Sequence, residues 1–191
     1  MDIVFNIMQL YKDNNWQEII AKYHDHPDRN RLLWVYPNKE NFEFIKECLA
    51  ELNCDGILSV GCGSGLLEWM ITKATGIPVT GIEVDDIWWN CKYSPPTFIP
   101  LHFAQAELDK DTINILEKDN KISLMFCYFN NRTAFDQYLK YFVGKVLIII
   151  GPHQKGVHTD PMPFHDVAQD SQLYKYQEIR DSGDFIAVYK L

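Results

Sequence analysis

The feature that most constrains this chain is the run Ile57-Leu58-Ser59-Val60-Gly61-Cys62-Gly63-Ser64-Gly65-Leu66. An apolar strand enters and three glycines stand at alternate positions. Leu66, Leu67, Met70, Ile71 and Ala74 then continue at helical spacing, closed by Gly76. Glycine permits the tight turn and lets a ligand approach the backbone closely. Such a unit belongs to a parallel sheet, with its ligand at the carboxyl end of the strands near the switch in strand order.

Two ligand classes use a turn of this kind. A dinucleotide turn spaces its glycines as G-x-G-x-x-G and seats a pyrophosphate on the helix N-terminus. Here Leu66 stands at the third glycine position, and Glu68, Glu83, Asp85 and Asp86 lie nearby in sequence. Those carboxylates oppose a pyrophosphate and tolerate a sulfonium and an ammonium group, so the turn points to S-adenosylmethionine as cofactor. Glu83 ends the next apolar run, 22 residues after Gly61. A carboxylate there can accept both hydroxyls of a ribose.

The rest of the chain supplies strands and helices in alternation. Strands are expected at 57–60, 78–84, 98–104, 122–129, 146–150, 173–179 and 185–189, the last two joined by a hairpin turn at 181–184. Helical stripes fall at Ile113 and Leu116, and at Phe135, Tyr138, Leu139 and Phe142. The first quarter reads as helices broken at Asn14-Asn15, a loop over 24–31, and a helix capped by Asn38. Residues 1–53 are expected to pack as a helical segment on an α/β domain of residues 54–191, one domain in all. Strands separated by helices predict a parallel sheet covered on both faces.

Composition narrows the partners. The 191 residues are 47% hydrophobic and 14% aromatic, enough for a full core, and carry a net charge of −8. A negative surface repels a phosphate backbone and disfavours nucleic acid as a partner. Five cysteines without CxxC spacing read as reduced thiols in a cytoplasmic protein, with no disulfide framework and no metal site. No basic leader followed by an apolar run opens the chain, and no stretch has the length of a membrane span, so export and membrane insertion are not expected.

On the glycine turn, on Val79-Thr80-Gly81-Ile82-Glu83 and on the ending Phe185-Ile186-Ala187-Val188-Tyr189-Lys190-Leu191, residues 34–191 resemble the class I, Rossmann-type S-adenosylmethionine-dependent methyltransferases. The resemblance implies a doubly wound, mostly parallel seven-stranded sheet with an antiparallel last strand. It implies that Gly61, Cys62, Gly63 and Gly65 cradle S-adenosylmethionine and that Glu83 holds the ribose. Phe103-Ala104-Gln105-Ala106-Glu107 matches the segment that faces the adenine, with Glu107 as its acid. Trp34-Val35-Tyr36-Pro37 matches the aromatic lead-in that closes over the methionine end, where Tyr36 is the candidate; a plain aromatic turn packed on the core is the other reading.

Two departures stand out. The family often has an acid two residues before the first glycine, and this chain has Ser59, which can hydrogen-bond but brings no charge; Glu68 is the carboxylate that would compensate. After the fourth strand, Asn130 and Asn131 stand where amino-directed enzymes carry Asn or Asp before Pro-Pro-aromatic, and the prolines are missing. A helix cap is the favoured reading of this pair, with Asn130 kept as a catalytic candidate. The loop 151–165 adds His153 and His158, either bases near neutral pH or solvated loop residues. The expected function is methyl transfer from S-adenosylmethionine to a small molecule or a protein, the acceptor covered by the N-terminal helices or by a partner protein. The alternative is a methyltransferase-like binding or scaffold protein without catalysis, favoured by Ser59, the missing prolines and the short chain and opposed by the near-intact glycine turn and Glu83.

Overall fold

The computed structural model describes residues 2–191. Three helices come first: α1 (Ile3–Lys12), α2 (Trp16–Tyr23) and α3 (Lys39–Glu51). Each start is fixed by a short polar side chain accepting from a free backbone N–H: Asp2 from Val4, Asn15 from Glu18, and Asn38 from Asn41. Asn41 returns the favour to the Asn38 amide, which completes a capping box. The expected loop 24–31 contains a short 3-10 turn at Arg29–Arg31.

The remainder alternates as expected except for one short helix, α5, that the sequence reading does not predict: β1 (Gly56–Val60), α4 (Leu66–Thr75), β2 (Val79–Glu83), α5 (Asp86–Trp89), β3 (Leu101–Phe103), α6 (Lys110–Glu117), β4 (Ile122–Cys127), α7 (Arg132–Tyr141), β5 (Val146–Pro152), β6 (Gln172–Ile179) and β7 (Asp184–Lys190). They form one seven-stranded sheet in the order β3-β2-β1-β4-β5-β7-β6. The first five strands pair in parallel, and β7 runs antiparallel to both β5 and β6. This is a Rossmann-like, doubly wound sheet, and its order reverses between β1 and β4.

Alternate residues of each central strand feed two cores. Ile57, Met125, Ile148 and Val188 face one side with α1 to α4, while Leu58, Phe126, Ile149 and Ala187 face the other with α6 and α7. β5 is buried along its whole length, as a strand covered on both faces must be. Apolar residues of α1–α3, including Ile7, Ile19 and Ile45, share the first core with Leu67 and Met70 of α4.

Strand ends shift by up to three residues from the sequence expectation, β5 running on through Gly151 and Pro152 of the expected loop, and three of the differences have a visible local reason. β3 is shorter because Phe98 leaves the sheet edge: it packs edge-on against Tyr11 at 5.1 Å, and its amide donates to the Ser64 carbonyl at 2.8 Å. β4 stops at Cys127 because Tyr128 turns the chain out with φ +52°. The hairpin turn begins earlier, with Arg180 and Asp181 both at positive φ and the Ser182 N–H donating to Ile179 O at 3.0 Å, the geometry of a type I′ turn.

Candidate functional site

The glycine turn sits at the carboxyl end of β1, where the strand order reverses. Its glycines are required for different reasons. Gly61 (φ +68°) and Gly65 (φ +77°) are hemmed in: a Cβ would meet the Phe129 ring at 2.9 Å and the Ile99 side chain at 2.4 Å, respectively. Gly63 (φ +59°) has no heavy atom within 4 Å of a built Cβ. Packing therefore excludes side chains at the outer glycines, while the middle one faces open space.

That space is part of a cleft of about 250 Å³ lined by Gly61, Cys62, Gly63 and Ser64, by Glu68 on α4, and by Trp34 and Tyr128 above. Residues 30–34 drape over the turn, and the Ser64 hydroxyl donates to the Leu32 carbonyl at 3.3 Å. Trp34 stacks on Tyr128 with ring centres 5.6 Å apart and planes 15° from parallel. Cys62 and Cys127 also line the cleft, but burial first, then the nearby carboxylates, holds both thiols well above their ordinary range. They are poor nucleophiles there.

Glu68 is the electrostatic centre of this cleft. It is 1% exposed, its Oε1 accepts from the Ser59 hydroxyl at 2.6 Å, and its Oε2 is buried without a hydrogen-bond partner. Burial pushes its carboxyl up from 4.5 to about 7, against the opposing pull of the Ser59 hydrogen bond. Ser59 lies two residues after Ile57 on β1, shares its face and so faces α4, which is how a strand serine and a helix glutamate become partners. A buried carboxylate oxygen with no partner costs free energy unless a donor arrives.

Glu83 stands at the end of β2; it is in the lining of neither the first cleft nor a second one, but its hydrogen-bond partners are, one in each. Its Oε1 accepts from the Gly63 N–H at 2.8 Å and its Oε2 from the Val84 N–H at 3.0 Å. The side chain thus braces the glycine turn. Val84 belongs to a second cleft of about 600 Å³, lined also by Asp85, Phe103, Ala104, Gln105, Ala106 and Tyr138. Glu107 is exposed and lies outside that lining, whereas its neighbours Gln105 and Ala106 are in it.

The other sequence candidates are dispersed. Tyr36 is buried, and its hydroxyl donates to the Arg29 carbonyl at 3.0 Å; it lines a third cleft on the far side of Trp34. Asn130 is exposed and bridged to Asp160, while Asn131 caps α7 by accepting from Ala134 N–H at 3.0 Å. His153 lies edge-on to Phe164 at 5.1 Å with its Nδ1 unpartnered, and His158 is exposed; neither lines the first or second cleft. Arg132 pins this loop by donating to Asp160, Asp166 and Val167. Among the described residues, no group of three His, Cys, Asp or Glu is arranged to hold a metal ion, and no helix is long and apolar enough to cross a membrane.

Sequence reasoning names Glu68 as the carboxylate that could compensate for Ser59 and places Trp34 in the lead-in, but it gives neither the Ser59–Glu68 hydrogen bond nor the Trp34–Tyr128 stack. Glu68 had a usable signal, since it stands three residues before Ile71 in the buried stripe of α4. The stack had none, because its members come from the lead-in and the end of β4.

No protein-family model and no curated protein sequence matches the chain. Solved structures do. Cofactor-bound Rv0187 from MTB aligns with a TM-score of 0.55 and 10% identity, over 97% of this chain and 95% of that one. A mutant of MtNAS in complex with S-adenosylmethionine gives 0.52 and 13%, over 98% and 74%. A proposed caffeoyl-CoA O-methyltransferase from Staphylococcus aureus gives 0.52 and 11%, over 98% and 99%. With its sheet order, its glycine turn at the reversal and these likenesses, the chain has the Rossmann-like fold of the class I S-adenosylmethionine-dependent methyltransferases.

Proposed function

We propose that this protein is a methyltransferase that binds S-adenosylmethionine across the first and second clefts, residues 1–53 and 54–191 acting as one unit. The observation that carries the reading is the unpartnered, buried Oε2 of Glu68, which lines a cleft floored by an open glycine turn. A cationic amino group is the ligand that such an oxygen lacks. The carboxylate that the family often supplies from the strand comes here from the helix, held by the Ser59 hydroxyl.

The remaining residues fit the rest of the cofactor. Glu83 retains lone pairs for two ribose hydroxyls while it accepts from the Gly63 and Val84 amides, one from each cleft. The second cleft, with Phe103, Ala106 and Tyr138, has the size and apolar walls for an adenine. When bound, S-adenosylmethionine supplies an electrophilic methyl group on a sulfonium. The chain's own part is to fix that end under the Trp34–Tyr128 wall, exclude water and orient an acceptor; such positioning supplies much of the acceleration of an in-line displacement.

Calorimetric titration with S-adenosylmethionine tests the reading. Saturable binding that is lost in Gly63→Val supports it. No binding in the parent, or unchanged binding in a folded Gly63→Val, rejects it. A labelled-methyl screen with small acceptors then separates an enzyme from a scaffold that only binds the cofactor.

A further inference from the structure

Trp34 has a second face. The third cleft, of about 660 Å³, lies between residues 24–38 and the β6–β7 hairpin, and Trp34 lines both it and the first cleft. Tyr128 links them as well: its ring lines the first cleft, and its hydroxyl donates at 2.6 Å to Asp184, which lines the third. One aromatic wall therefore separates the glycine-turn cleft from this polar one.

The charges of the third cleft are unequally compensated. Lys155 is bound to the buried Asp184 at 2.9 Å, so these two cancel. Arg29 and Arg180 form no ion pair among the described residues. Arg180 donates from Nε to the Tyr36 carbonyl at 2.8 Å and from Nη2 to the Ile20 carbonyl at 3.3 Å, contacts to neutral groups that fix its plane. Arg29 is near enough to Tyr36 and Tyr128 that its charge acts on both hydroxyls. The other carboxylates of the lining are at the rim: Asp25 has an 87% exposed side chain on His24, and Asp181 is exposed at the hairpin tip. Two half-buried guanidiniums thus stand without an ion pair among the described residues, Asp25 and Glu40 acting on Arg180 only from a distance, in a chain of net charge −8.

We propose that the third cleft binds the anionic end, carboxylate or phosphate, of a small methyl acceptor, with Arg29 and Arg180 as its ligands and the Trp34 ring against its body. Guanidiniums match both oxyanions by paired N–H donors, and partial burial strengthens such bonds. The word acceptor rests on the methyltransferase reading above; the anion site does not. An acceptor held this way has its far end at the Trp34–Tyr128 wall, beside the first cleft.

Benzoate, phenyl phosphate and neutral benzyl alcohol are the probes, titrated into the full chain and followed by amide chemical shifts. Both anions, or the one whose oxyanion is the natural ligand, should bind at least tenfold more tightly than the alcohol, and the tighter anion identifies carboxylate or phosphate. Arg29→Gln and Arg180→Gln should each weaken anion binding tenfold or more, while Lys110→Gln, on the exposed start of α6, should not. Because Arg180 also braces two carbonyls, Arg29→Gln is the deciding variant. Anions that bind no better than the alcohol, or that bind Arg29→Gln as they bind the parent, overturn the proposal. S-adenosylmethionine titrated in parallel keeps the two readings apart: cofactor binding without anion binding rejects this site alone, and anion binding without cofactor binding rejects the methyltransferase reading alone.

Discussion

Replacing Glu68 by Gln should move stability and cofactor affinity in opposite directions. In the fold its carboxyl titrates at about 7, raised by burial from 4.5. A folded pKa above the unfolded one means that the native state holds the proton more tightly, so the contribution to stability is full below about pH 4.5, falls as pH rises, and is gone above about pH 7. That displacement corresponds to about 3 kcal/mol of destabilisation at pH 8. Glu68→Gln abolishes the titration. It should therefore be more stable than the parent by up to about 3 kcal/mol at pH 8, the gain fading toward pH 4.5. S-adenosylmethionine should bind the variant about ten- to hundredfold more weakly, the cost of about 1.5–3 kcal/mol for a hydrogen bond to a charged group. In the parent, affinity should fall about tenfold per pH unit below the titration point, with a proton released on binding. Denaturant melts of both proteins between pH 4.5 and 8.5, with calorimetry in two buffers of different ionisation enthalpy, measure all three effects. A ligand without the amino acid, such as methylthioadenosine, should bind both proteins alike. If the variant is less stable at every pH, the carboxylate is an ordinary packing element. If it is more stable yet binds the cofactor unchanged, the ammonium role assigned to Glu68 is wrong.

Glu83→Ala should weaken cofactor binding about ten- to hundredfold and also cost about 1–3 kcal/mol of stability, because the Gly63 and Val84 amides lose their acceptor; binding that survives unchanged removes the ribose role. The sequence gives Glu83 only a ribose role, and the two amides it accepts from add the bracing of the turn. Gly63→Ala has room for its methyl group but not the backbone freedom at φ +59°, so melting should show a loss of about 1–2 kcal/mol even where binding is retained. Phe135→Ala, deep in the second core against Phe126 at 4.8 Å, should cost about 3–5 kcal/mol by denaturant melts while leaving cofactor affinity of the folded protein unchanged.

By itself the sequence determined the order of the strands and of every helix but α5, the cap at Asn38, a cap within the pair Asn130 and Asn131, the turn at Gly61–Gly65 and the acid at the end of β2. These are local quantities: a period of two or 3.6, a side chain three residues from an amide, a glycine where φ must be positive. It also fixed the antiparallel last strand, because a hairpin joins neighbours in the chain. What it did not determine are the relations between distant segments. The family resemblance makes Glu107 the adenine acid, yet Gln105 and Ala106 line the cleft, since a difference of one or two residues in a loop decides which side chain turns inward. His153 reads as a base from its place after β5, yet it packs among Phe164 and Phe185, because Arg132 draws the loop back over α7. Glu68 reads as a neighbour of the site, and only the packing of α4 on β1 makes it buried, paired to Ser59 and short of one hydrogen bond. Arg29 and Arg180 are 151 residues apart in the chain and meet in one cleft because β7 inserts between β5 and β6 and carries the hairpin to the lead-in. Local propensity fixes an element from its own residues, but burial and the pairing of charges depend on which elements the sheet order brings together, and that is settled only when the whole core closes.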